Sequence, residues 1–140
     1  MKKENNFPNL DWVVVSKDTV VDNQTNSLSI INIIEELTLT GERPKTDFKI
    51  PVQIKAIIMW RKNSPEKADS KIMFGMSFID PNKKTLSRAD FVLKFEKNKK
   101  RVRSIVNIPD FQVTSEGIYT LEITGDGKVL GNAYIEVIFK

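Results

Sequence analysis

The chain contains no cysteine and no histidine in 140 residues. Without thiols no disulfide framework can form, so nothing points to an oxidising compartment, and no thiolate nucleophile exists. Without imidazole, zinc, iron and copper sites built on nitrogen or sulfur ligands are excluded, as is an imidazole base poised near neutral pH. Long apolar runs are missing as well. The longest uninterrupted one covers residues 56–60, far short of a membrane span. The opening "MKKENNFPNLDW" sets Glu4, Asn5, Asn6 and Pro8 where a signal peptide needs its apolar core. The expectation is a cytoplasmic protein, in which the Asn23-Gln24-Thr25 sequon carries no sugar. No motif calls for a cofactor.

What remains is the composition of a single globular domain, 40% hydrophobic and 29% charged. A chain of this length buries roughly two thirds of its unfolded surface and needs no staples. Residues 1–9 are polar and read as a flexible tail, leaving 10–140 as the domain. Along it one unit recurs, a short β-branched or aromatic run followed by turn residues. "DWVVVSKDTVV" (11–21) leads through the turn "NQTN" to "SLSIINIIEELTL" (27–39), whose clustered isoleucines indicate one buried strand. The segment 40–50, with Gly41 and Pro44, reads as a long connection between sheets. In 52–62, Val52, Ile54, Ala56, Ile58 and Trp60 share one face.

Further on, Ile72, Phe74, Met76 and Phe78 alternate, and Pro81 suits the turn that follows. Residues 85–97 permit a helix by composition, yet Phe91, Leu93 and Phe95 alternate as in a strand. Residues 101–109 form another strand, ended by proline. Asp126-Gly127 supplies the turn of a hairpin over 117–139. About eight short strands at even spacing indicate an all-β antiparallel sandwich, immunoglobulin-like or C2-like. In "SEGIYTLEI" (115–123), Tyr119 stands where a tyrosine corner would bond its hydroxyl back to the main chain.

The order "LDWVVVSKDTVV", "SLSIINIIEEL", "IPVQIKAIIMW" and "GIYTLEITGDGKVLGNAYIEV" resembles a functionally unassigned family of small prokaryotic all-β proteins over roughly residues 10–139. The resemblance implies a sandwich of immunoglobulin-like or C2-like type and brings no catalytic residues.

The densest charge lies in "KFEKNKKRVR" (94–103), with six cations against one acid. Outside it, sixteen cations face seventeen acids. As the tip of a hairpin joining strands 91–97 and 101–108, Lys94, Lys97, Lys99, Lys100, Arg101 and Arg103 would hold a polyanion such as nucleic acid by counterion release. The opposing reading is that lysines guard an exposed edge, as the second lysine turn at 81–85 suggests. An oxygen-only calcium site of C2 type would draw on Asp69, Asp80, Asp90, Asp110 and Asp126. Residues 80–91, however, place Lys84 and Thr85 where an EF-hand needs a ligand and a glycine. "TGDGKVLG" lacks phosphate-loop spacing and is explained as a hairpin turn. Glu35 and Glu36 are neighbours that a strand would point to opposite faces, so no carboxylate pair proposes hydrolysis and no enzyme is expected.

Trp12, Ile57 and Met59 lie opposite a plausible core set. Strand 52–60 is therefore either central and covered by its own chain or covered by a partner. The functional expectation is a non-enzymatic module that binds protein, its own kind or another, through sheet edges and loops. Polyanion binding is the alternative, and anionic lipid or calcium binding of C2 type is a second one.

Overall fold

The computed structural model describes residues 7–40, 47–50, 53–65 and 67–140. Among them are eleven strands and no helix. They are β1 (Asn9–Val21), β2 (Leu28–Ile33), β3 (Glu36–Leu39), β4 (Phe48–Ile50), β5 (Ile54–Arg61), β6 (Ser70–Ile79), β7 (Thr85–Phe95), β8 (Arg101–Ile108), β9 (Phe111–Val113), β10 (Gly117–Gly125) and β11 (Lys128–Phe139). One sheet has the order β2-β1-β5-β8, a second β3-β11-β10-β6-β7, and β4 pairs with β9 in a small third.

Alternation built the core as the pattern requires. Ile54, Ala56, Ile58 and Trp60 of β5 meet Phe74, Phe78, Leu93, Phe95, Leu121, Ile123, Ile135 and Val137 of the second sheet in one buried cluster. The ambiguous segment 85–97 is strand β7. The hairpin β10–β11 turns on Asp126 and Gly127, both at positive φ (52° and 73°), which is the backbone a two-residue loop needs.

The all-β, sandwich-like expectation therefore stands, with two corrections. Eleven strands replace about eight, because β3, β4 and β9 are only three or four residues long and too short to display a period. The pairing is also not wholly antiparallel, since β3 runs parallel to β11 from Glu36↔Glu136 to Phe139↔Leu39. The expected single buried strand at 27–39 is in fact two strands in different sheets. The chain leaves the first sheet after Ile33 and enters the second at Glu36. Only Ile34 of that isoleucine group packs against the core, and Ile31 and Ile33 face solvent. Of the tail expected at 1–9, residues 1–6, like 41–46, lie outside the described residues. Phe7 stacks edge-on against Trp60 at 6.4 Å, Pro8 is buried, and Asn9 opens β1.

One polar knot sits inside this apolar frame. The Tyr119 ring, fully buried, packs against Phe78 and Phe111 with centroids 5.7 and 5.2 Å away. Its hydroxyl donates to the carbonyl of Ser115 (2.6 Å) and accepts from the amides of Thr114 (2.9 Å) and Ser115 (3.1 Å). This is the corner expected from "SEGIY". The Thr114 hydroxyl donates in turn to Asp80 Oδ2 (3.1 Å), whose other oxygen accepts from the amides of Asn82 and Lys84. A single connected set thus ties the β6–β7 turn to the β9–β10 corner.

Tyr119→Phe keeps the ring and removes the acceptor for two main-chain amides. Leaving such groups unsatisfied costs about 1–3 kcal/mol. Denaturant unfolding should show a loss of that size with an unchanged m value. A loss below about 0.5 kcal/mol would mean that water replaces the hydroxyl and the corner is not a structural tie.

Candidate functional site

The basic stretch is not a hairpin tip. β7 is the edge of the five-stranded sheet and β8 the edge of the four-stranded one, so residues 96–100 cross between sheets. β7 pairs with β6 and β8 with β5. Each edge found an earlier partner, so neighbours in sequence do not become neighbours in a ladder. The crossing is fixed by the Lys62 amide on the Lys100 carbonyl (2.7 Å), the Lys97 amide on Asp69 Oδ1 (2.7 Å) and the Lys99 amide on the Glu96 carbonyl (3.1 Å). Asn98 takes the left-handed φ of 69° that the turn requires.

Of the six cations singled out in the sequence, Lys94, Lys97, Lys99, Lys100 and Arg101 face solvent around this corner. Arg103 does not join them. It is half-buried, and its Nη2 donates to both the main-chain oxygen and Oδ1 of Asn26 at 2.7 Å. The structure adds cations that sequence reasoning missed. Lys71 stands opposite Lys94, and Arg61 opposite Arg101. Lys62 lays its ammonium 4.9 Å above the Phe95 ring, and burial pushes it below the ordinary lysine value. Only strand pairing brings these together, so no local signal announces them.

The Arg103–Asn26 contact reveals how the first hairpin lies. Arg103 and Trp12 are level, since both oppose Met59. From Trp12 the strand β1 runs on to Val21, about 30 Å at 3.3 Å per residue, before the turn that holds Asn26. A straight hairpin would carry Asn26 far from Arg103. The hairpin is therefore folded back over the outer face of β5. The ladder bends where it passes from Ser16↔Ile33 to Asp18↔Ile31 across Asn32, which holds φ at 54°. This accounts for Ile57, which is fully buried yet outside the core cluster. The apolar outer face of β5, with Trp12 and Met59, is covered by its own chain.

A different apolar surface is open. At the seam where β1 approaches β11, a groove of about 410 Å³ is lined by Val13, Val14, Ile33, Ile118, Tyr134 and Glu136 among others. A second groove of about 480 Å³, with Pro81 and Lys83, shares Ile118 and Tyr134. Ile33, Ile118 and Tyr134 are 56%, 54% and 58% exposed, so the last two form a ridge between the grooves. Glu35 also lines the first groove.

The five aspartates are dispersed. Asp80 is buried in its turn, Asp69 holds the Lys97 amide, and Asp90 pairs with Arg88 at 3.4 Å. Among the described residues no cluster of acids is arranged to hold a metal ion, and no helix is long and apolar enough to cross a membrane.

A family profile matches residues 13–138. The chain belongs to the Family of unknown function (DUF6941). No curated protein matches it. Among solved structures it is similar to a glycosyl hydrolase family 2 member from Bacteroides cellulosilyticus, with a TM-score of 0.43 and 16% identity, over 62% of this chain and 12% of that one. It is also similar to the Pseudomonas fluorescens alkylpurine DNA glycosylase AlkC bound to DNA containing an abasic site analog. That match has a TM-score of 0.44 and 13% identity, over 90% of this chain and 30% of that one. The chain thus spans less than a third of either protein, and superpositions this loose carry neither activity nor ligand across.

The folded-back hairpin is fastened to β5 by Asp18 as well as to β8 by Arg103, and Asp22 fixes the turn at its tip. Asp18 is held below its ordinary value first by its bond to Lys55, 3.0 Å away, and then by the Thr19 amide. Asp22 is lowered by the amides of Thr25 and Gln24. A carboxylate depressed in the folded state stabilises it fully above the unfolded pKa, near 3.8, and loses that contribution as pH falls through the folded value. Hydrogen exchange between pH 5 and pH 2.5 should therefore show the amides of 18–31 losing protection before those of β10. In Asp22→Asn the difference between the two ends of that range should shrink. Uniform loss across both sheets would show that these two groups do not fasten the hairpin.

Proposed function

We propose that the chain is a non-enzymatic protein-binding module, immunoglobulin-like or C2-like, that works in the prokaryotic cytoplasm and holds a partner protein on the β1–β11 seam. The observation that carries this is the Ile118–Tyr134 ridge, an isoleucine and a tyrosine each more than half exposed between two open grooves. Large apolar and aromatic side chains brought together on a surface are the material of interface centres. Glu35 and Glu136 at the first groove favour a partner that brings apolar groups ringed by lysine or arginine. The lack of imidazole and thiol supports a role in binding rather than catalysis, and the Tyr119 corner supports the immunoglobulin-like reading.

The ridge is also well supported from below. Ile118 sits between Tyr119, anchored in the corner, and Gly117, whose φ of 135° excludes a side chain. A Cβ there would meet Pro81 at 2.9 Å. A surface feature set on such rigid backbone presents its side chains at little entropic cost on binding.

The test is a photoreactive residue at Tyr134 and, as control, at Val92, an equally exposed apolar position at the other end of the five-stranded sheet. Irradiation in cells should give a discrete protein adduct from position 134 and not from 92. Adding Ile118→Asp should weaken the adduct while leaving the melting temperature within a few degrees, as exposed substitutions do. Equal adducts at both positions, or none at 134, would overturn the proposal.

A further inference from the structure

Positive side chains from three stretches of the sequence, 61–62, 71 and 94–101, meet at one end of the two sheets. β5 closes there with Arg61, followed by Lys62, and Lys71 is the second residue of β6. Lys94 is the last residue but one of β7, the crossing carries Lys97, Lys99 and Lys100, and β8 opens with Arg101. From this convergence we infer a second binding surface, one that docks on the phosphate backbone of double-stranded nucleic acid.

Two features separate this end from a merely guarded edge. Lysines that protect against strand pairing belong on edge strands, which here are β7 and β8. Arg61 is on β5 and is paired on both sides, with Asn9 and with Arg101, so it guards no edge. The second feature is a cost. Lys71 directly opposes Lys94, and Arg61 directly opposes Arg101, and like charges opposite each other destabilise a ladder. Asp11 relieves one pair, at 3.0 Å from Arg61 and 4.0 Å from Arg101. Among the described residues no acid pairs with Lys71 or Lys94. Asp69 receives the main-chain amide of Lys97, Glu96 is exposed in the crossing and Asp126 in the neighbouring hairpin. The remaining repulsion is what a bound polyanion would remove.

The surroundings narrow the class of polyanion. Single strands are held by stacking on exposed aromatic rings, but Phe95 is fully buried beneath Lys62 and Phe91 packs on the core. Bilayers are held best where an apolar side chain enters beside the cations. The described residues of 62–69 and 96–100 offer no large apolar group. At the crossing recognition is left to charge, with Met73 and Val92 the exposed apolar neighbours on the strands behind it. A duplex presents charge most densely, one phosphate charge per about 1.7 Å of axis. With sheets about 10 Å apart and strands about 4.8 Å apart, the cations of both sheets reach on the order of four phosphates, without reading sequence. Four neutralised phosphates give a slope of log K against log salt of about −3.6.

The test uses the whole chain and a labelled 20-base-pair duplex of arbitrary sequence, titrated between 25 and 200 mM salt. The same titration is run with one of its single strands and with phosphatidylserine-containing vesicles. One variant changes Lys71, Lys97, Lys99 and Lys100 to Ser. A second, of equal net charge, changes the exposed Lys17, Lys49, Lys84 and Lys140 to Ser, and melting curves confirm that both fold. The expected result is duplex binding with a slope near −3 to −4, weakened at least tenfold in the first variant and less than threefold in the second. Equal weakening in both would reduce the effect to net charge and overturn the site. Tighter binding of the single strand or of vesicles would overturn the class of ligand. No binding at 25 mM salt would overturn the inference altogether.

Discussion

A carboxylate removed from water is expensive unless its oxygens find donors, and both oxygens of Asp80, 4% exposed, do. It takes two amides from its own turn and one hydroxyl from Thr114. Because Thr114 also lends its amide to Tyr119, the turn after β6 and the loop before β10 cannot move independently. The aromatic packing of Phe78, Phe111 and Tyr119 depends on that tie for its alignment. So does the two-stranded β4–β9 pair, since Val113 at the end of β9 precedes Thr114 directly. An apolar core alone excludes a one-residue slip of β10 against β6, which would turn Tyr119 to solvent, but it tolerates slips of two residues. The polar knot selects the register in which its donors and acceptors all match.

The same economy shows in the first hairpin. A thirteen-residue strand with apolar residues on both faces would leave the outside of β5 bare. Bending at Asn32 and clasping Arg103 to Asn26 turns the excess length into a cover. The surfaces left open are then the β1–β11 seam, apolar with glutamates, and the lysine-rich crossing. They lie at opposite ends of the five-stranded sheet, one beside Ile79 and the other beside Lys71, the two ends of β6. The two partners proposed for these surfaces would therefore not obstruct each other.

Much of the scaffold was legible from the chain. Alternation in 54–60 and 117–139 identified the core faces, Asp126-Gly127 the tight turn, and "SEGIY" the corner, because each rests on local chemistry of a few residues. The split of 27–39 was hidden, since Ile34 and Ile33 are chemically alike and only the competition between two sheets decides which of them is buried. The hairpin expected at 94–103 failed for a related reason. A basic turn between two strands looks the same whether the strands pair with each other or with earlier ones. The added cations Arg61, Lys62 and Lys71 and the ridge of Ile118 and Tyr134 are properties of assembled ladders and of seams between them, which no window of sequence contains.

The parallel pairing of β3 with β11 has a kinetic consequence. Glu36 meets Glu136 across an interval of one hundred residues, and closing a loop of that length costs about 4 kcal/mol in chain entropy before any contact rewards it. The reward is four residues of ladder, opened by two glutamates side by side. The β10–β11 hairpin closes through two residues and can form in microseconds, whereas β3 can dock only after nearly everything between has condensed. The seam beside β3 is therefore the last surface of the molecule to take shape and the first to open when it unfolds. A partner seated there would act as a brake on unfolding, in addition to whatever signal it carries.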